Sequence, residues 1–196
     1  MDVFCLLLLI RILYQMYINR EQNDHWNYFY YTIAWACVYL FMDAIWIMNV
    51  KHLLTFSKIQ SGIFNSFYFC SLAMLVCSWY VYVQKTLHSA VLKHKKILVL
   101  TFIPLIFFIG SSLLSYWTHG LFVIDQVGNY HRGKLLPFYF LILFAYILYL
   151  SIKAGYLSKK AKNYLYQKEY KVIGHFFFSS FYYCVNSNYS GSFTYF

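Results

Sequence analysis

The chain has 196 residues, of which 61% are hydrophobic and only 11% charged, against about 25% charge in an ordinary soluble domain. Its formal charge is +10. The lysines and arginines sit between apolar runs, however, and no RNA- or DNA-binding motif accompanies them, which argues against nucleic acid as the partner. Five long apolar runs fill most of the sequence, and a soluble domain of this size has no use for so many helices apolar on every face.

The first run is Met1–Ile18. A cleaved signal peptide would start with positive charge and end at a small-residue cleavage site. This segment instead carries Asp2 at its start and Arg11 inside it, so we read it as an uncleaved span. The second run is Tyr28–Val50 and contains Asp43. Ionisable groups at membrane depth are costly and are usually buried against partners. Arg11 and Asp43 fall within an arginine's reach of the same depth, and the sequence predicts an intramembrane Arg11–Asp43 pair. The plainer alternative is a snorkelling Arg11 and a locally hydrogen-bonded Asp43.

The third run, Gly62–Val83, places Gly62, Ser66, Cys70, Ala73 and Cys77 on one helical face. Such a small-residue stripe suits close helix packing in lipid. Cys70 and Cys77 stand about 10 Å apart along a helix, too far for a disulfide, and read as inert thiols. Cys5, Cys37 and Cys184 give no pairing pattern. The fourth run, Ile97–Trp117, contains Pro104 and then Gly110, Ser111, Ser112 and Ser115. Proline removes a helical hydrogen bond, and the serines beyond it either line a cavity or serve packing alone.

Between the fourth and fifth runs lies the most specific local sequence, Leu121 to Lys134. Two short extended stretches flank Gly128 and Asn129, which predicts a small β-hairpin. Asp125, His131, Arg132 and the nearby His119 form a candidate ligand rim. In the structural alternative, Asp125 and Arg132 tie the hairpin together across its turn. Two histidines twelve residues apart are a weak metal signal, and we expect no metal and no cofactor. The fifth run is Leu135–Leu157. Beyond it, the lysine-rich segment Ser158–Lys171 suits the anionic face of a bilayer. A 14-residue apolar stretch, Val172–Val185, is too short to cross one fully. The residues from Asn186 to Phe196 carry no charge and little pattern, and the tail reads either as the product of a shifted reading frame, which we favour, or as a marginal, tilted span.

Orientation follows from the basic residues. Loops 19–27, 84–96 and 153–171 together carry eleven lysines and arginines, and loops 51–61 and 118–134 carry four. Positive charge favours the cytoplasm. The N-terminus is therefore expected outside, with loops one, three and five inside.

The hairpin sequence Phe122-Val-Ile-Asp125, then Tyr130-His-Arg-Gly133, resembles the outer loop of the multi-helix membrane sensor regions that precede GGDEF diguanylate cyclase domains in Firmicutes. Tyr17-Ile-Asn-Arg20 at the end of the first span and Asp43 three residues before Trp46 match the same pattern. Lys134 stands where that family usually has proline. The resemblance covers residues 1 to about 173. The apolar runs themselves predict an all-α, polytopic membrane bundle over 1–171, with five clear spans and a partial sixth in 172–196. The resemblance implies a membrane-embedded sensory module, with a small extracellular ligand, the lipid bilayer and a second copy of the chain as expected partners. No GGDEF sequence or phosphate-binding glycine loop occurs, so the chain is expected to be catalytically silent. The rival reading is a fragment of a small-molecule transporter, which would want inverted repeats and interrupted helices.

Overall fold

The computed structural model describes residues 2–18, 24–50, 53–54, 56–125, 130–160, 167–168 and 170–174. Five helices carry nearly all of it: α1 (Asp2–Ile18), α2 (Asp24–Val50), α3 (Lys58–Thr86), α4 (Lys95–Thr118) and α5 (Leu136–Lys160). A one-turn 3₁₀ helix, Ala90–Lys93, leads into α4. Strands β1 (Phe122–Ile124) and β2 (Tyr130–Arg132) form the antiparallel hairpin between α4 and α5. Its register pairs Phe122 with Arg132, Val123 with His131 and Ile124 with Tyr130.

Helix α3 outruns its apolar run at both ends because capping chemistry extends it. Ser57 accepts a hydrogen bond from the Gln60 amide at 3.4 Å, and the Gln60 side chain accepts one from the Ser57 amide at 3.0 Å. This reciprocal box satisfies two of the donors a helix start leaves open. At the other end Leu87 caps the helix and His88 turns left-handed at φ 46°. Ser89 then caps the 3₁₀ turn through the Val91 amide. Helix α4 runs through Pro104 and stops at His119, which is left-handed at φ 56°. Pro137 falls in the first turn of α5, where its missing N–H costs nothing.

Residues 1–143 form one compact unit and 144–196 a second. In the first unit α3 packs against both α2 and α4, and α1 packs on α2. The aromatic contacts show α2 and α3 running in opposite directions. Near the start of α2, Phe29 meets Tyr82 of α3 at 5.1 Å and Tyr28 lies under the Lys85 ammonium. Near the end of α2, Trp46 stacks on Tyr68. In the second unit the chain turns back along α5. The Ser158 hydroxyl donates to the Gln167 carbonyl, residues 170–174 are helical, and Gly174 lies against Gly155 and Ser151.

The core mixes apolar and small polar side chains, and the exterior is far more apolar than that of a water-soluble bundle. Ser61, Gln84, Ser112 and Ser115 are completely buried, whereas Leu100, Phe107 and Leu141 are about two-thirds exposed. Large apolar side chains that face outward along several helices mark a surface covered by lipid or by another protein. Four segments, Asn27–Asn49, Lys58–Thr86, Leu98–Thr118 and Leu136–Lys160, are long and apolar enough to cross a membrane. Helix α1 has 17 residues, or about 26 Å of rise. Among the described residues the structure is therefore all-α apart from the hairpin, with four helices of spanning length. Residues 19–23, 126–129 and 175–196 lie outside the described residues, as does half of the lysine-rich segment.

Candidate functional site

The hairpin end of the first unit gathers the residues of interest. Ser115, the last buried residue of α4, fixes the hairpin to that helix. Its Oγ accepts from the Leu121 amide at 2.9 Å and from the Phe122 amide at 3.1 Å, and donates toward the Phe122 carbonyl at 3.5 Å. The far strand closes on the near one through Gly133, whose amide donates to the Leu121 carbonyl at 2.8 Å. A Cβ at Gly133 would collide with the Gly120 carbonyl, so only glycine fits this approach. Two residues further, the Leu135 amide donates to the Gly120 carbonyl at 3.0 Å.

On the rim, Asp125 meets His131 Nε2 at 3.5 Å, with His131 63% and Asp125 33% exposed. His119 and Arg132 are exposed. Asp125 thus has the histidine of β2 within reach across the hairpin. Among the described residues no group of three or more His, Cys, Asp or Glu converges to hold a metal.

Beneath the rim lies a cluster that sequence reasoning missed. Tyr39 and Tyr68 join hydroxyl to hydroxyl at 3.1 Å, and the Tyr68 side chain also hydrogen-bonds Asp43. Trp46 stacks on Tyr68 with centroids 6.3 Å apart, and the Tyr130 ring of β2 stands against Trp46 at 5.8 Å. Phe122 of β1 stacks on Phe69 of α3 at 6.0 Å. One signal was legible: Tyr39, Asp43 and Trp46 follow i, i+4, i+7 and share a face of α2. Their partners come from α3 and the hairpin, which no local pattern announces. Burial pushes the Tyr130 phenol above its ordinary range, with Arg132 pulling the other way.

Arg11 is exposed on α1, and among the described residues no ion pair joins it to Asp43. The carboxylate is instead engaged by Tyr68, which needs no charge brought from another helix. The small-residue stripe does sit in a helix contact. A Cβ at Gly62 would run into the Tyr116 ring of α4, and the Cys70 thiol points to the Ile109 carbonyl at 4.0 Å. Ser66 and Ala73 are buried, and Cys77 is half-buried and free. Two further α4 serines make hydrogen bonds of their own. Ser111 accepts from the Tyr139 hydroxyl at 2.6 Å, and Ser112 donates to the Phe108 carbonyl at 2.8 Å.

Four helices long and apolar enough to cross a membrane, with a hairpin seated on α2, α3 and α4, point to a membrane-type protein. Comparison with protein-family models, with curated proteins and with solved structures finds no match in any of the three.

Proposed function

We propose that the chain is a membrane-embedded sensory module that reads a small ligand on its outer face. In this reading α1 is a fifth span, the hairpin end faces outward, and loops 19–27, 84–96 and 153–171 face the cytoplasm, as the asymmetry of lysine and arginine favours. The module does no chemistry of its own and acts on an output supplied by a partner. The hairpin residues that resemble the sensor regions of membrane-bound diguanylate cyclases support the same assignment.

The observation that carries this reading is the seating of the hairpin on three helices at once. Tyr130 rests on Trp46 of α2, Phe122 on Phe69 of α3, and the Leu121 and Phe122 amides on Ser115 of α4. A ligand that shifts the hairpin therefore has a packed route to the helices, and packed elements respond in discrete steps rather than by gradual deformation.

Spin labels at Tyr31 of α2 and Lys96 of α4, both exposed and both far from the hairpin, would report on that route in a cysteine-free background. Releasing the hairpin with Tyr130→Ala is expected to change the measured distance distribution. An unchanged distribution, with the hairpin demonstrably loosened, would mean that the hairpin is a passive cap.

A further inference from the structure

We propose that the cluster formed by Asp43, Tyr39, Trp46, Tyr68 and Tyr130 is a binding site for a small organic ammonium ion. The inference deepens the sensory reading, on which it rests for placing this end of the bundle outside, by naming the chemical class of the ligand.

The composition of the cluster selects the class. Its four rings are all tyrosine or tryptophan, the two side chains whose faces attract cations most strongly. Consecutive centroids lie 5.3 Å (Tyr39–Tyr68), 6.3 Å (Tyr68–Trp46) and 5.8 Å (Trp46–Tyr130) apart. An ammonium seated against Trp46 and Tyr68 thus meets both rings inside the roughly 6 Å range of a cation–π contact. Asp43 lies one helical turn from both Trp46 and Tyr39 and is fixed by the Tyr68 hydroxyl, so a carboxylate stands beside the rings. The rings are half-buried rather than sealed, and Tyr130 belongs to the hairpin.

Other ligand classes fit less well. A hard divalent cation takes six or more oxygen ligands, and no cluster of three or more metal-ligating side chains exists among the described residues. An anion would meet the Asp43 carboxylate. A sugar needs several free hydroxyl partners, whereas the Tyr39 and Tyr68 hydroxyls are engaged with each other. A methylated or primary ammonium needs only negative charge and electron-rich faces, and both are present. It could arrive free from the aqueous side or as the choline or ethanolamine headgroup of a lipid.

Equilibrium binding of radiolabelled choline to the full chain in phosphatidylglycerol nanodiscs, corrected by empty nanodiscs, tests the site. Saturable binding is expected, displaced by tetramethylammonium and not by equal sodium. Asp43→Asn and Trp46→Ala are each expected to weaken it by about tenfold or more, and Trp46→Phe by less. Loss of choline binding on adding phosphatidylcholine or phosphatidylethanolamine would assign the site to a lipid headgroup, and retained binding to a free amine. No saturable binding by the folded chain, equal displacement by sodium, or unchanged affinity in the folded variants would overturn the proposal. If Asp43→Asn and Trp46→Ala do not fold, the ion-competition series on the unaltered chain and Trp46→Phe decide it. Binding that leaves the spin labels unmoved would sink the sensory reading and spare the site. Labels that respond to Tyr130→Ala in a chain that binds no amine would do the reverse.

Discussion

Trp46 and Tyr130 meet nearly edge to face, with ring centroids 5.8 Å apart and planes at 88°. One ring belongs to the end of a long apolar helix and the other to a three-residue strand 84 positions later in the chain. Such pairs contribute about 0.5–1.5 kcal/mol beyond their buried area. A double-mutant cycle with Trp46→Leu and Tyr130→Leu should return a coupling energy in that range, measured by unfolding in detergent. Additive losses would show that the hairpin does not draw stability from α2.

Ser115→Ala should be the most damaging of the α4 serine substitutions. It leaves the Leu121 and Phe122 amides without the acceptor they share, at a depth where Ser115 is fully buried. Each stranded amide costs about 1–3 kcal/mol, so a loss of about 2–4 kcal/mol is expected. Ser112→Ala removes only a bond back to a carbonyl of its own helix and should cost less than about 1 kcal/mol. Thermal unfolding of the two variants side by side checks the order.

Gly62→Ala should destabilise the α3–α4 contact by about 1–3 kcal/mol, because the added methyl meets the Tyr116 ring. Since the obstacle is a side chain, Tyr116→Ala in the same chain should recover part of the loss. Gly133→Ala should have no such rescue, because there the obstacle is the backbone of Gly120 and Leu121. A Gly133→Ala chain as stable as the parent would contradict the hairpin closure described above.

Much of this architecture was legible in the sequence because a lipid solvent simplifies the code. Helices α2 to α5 need no amphipathic period, only length, and their apolar runs locate them to within four residues. The hairpin was legible for a different reason: extended stretches on either side of a turn dipeptide fix its position. What was not legible depended on partners from separate segments. The capping box at Ser57 and Gln60 lies in a polar loop, outside any apolar run. Asp43 suggested Arg11 because unlike charges are the obvious match, whereas the structure gives it a phenol from α3. Ser115 and Ser111 of α4 make hydrogen bonds that depend on the hairpin and on α5 respectively. In the second unit, Ser151, Gly155 and Gly174 make a close helix approach of the same kind as the α3 stripe, although the apolar run alone drew no attention to it.

The hairpin should loosen in alkali. Burial raises the Tyr130 phenol above its ordinary value of 10.0, and Arg132 only partly offsets this. A raised folded-state value means that the neutral phenol is the form the fold favours. Its contribution is complete below pH about 10 and is lost as pH climbs through the higher folded value. Amide exchange in residues 121–135 should therefore accelerate above that point, and Tyr130→Phe should remove the step. A step that persists in Tyr130→Phe would assign it to another group.

The account stands or falls on whether hydrocarbon surrounds these helices. Alkaline carbonate extraction of membranes from cells that express the chain tests this directly. The account predicts that the protein stays in the membrane pellet and is released only by detergent. Recovery in the supernatant as a soluble, monodisperse species would contradict it.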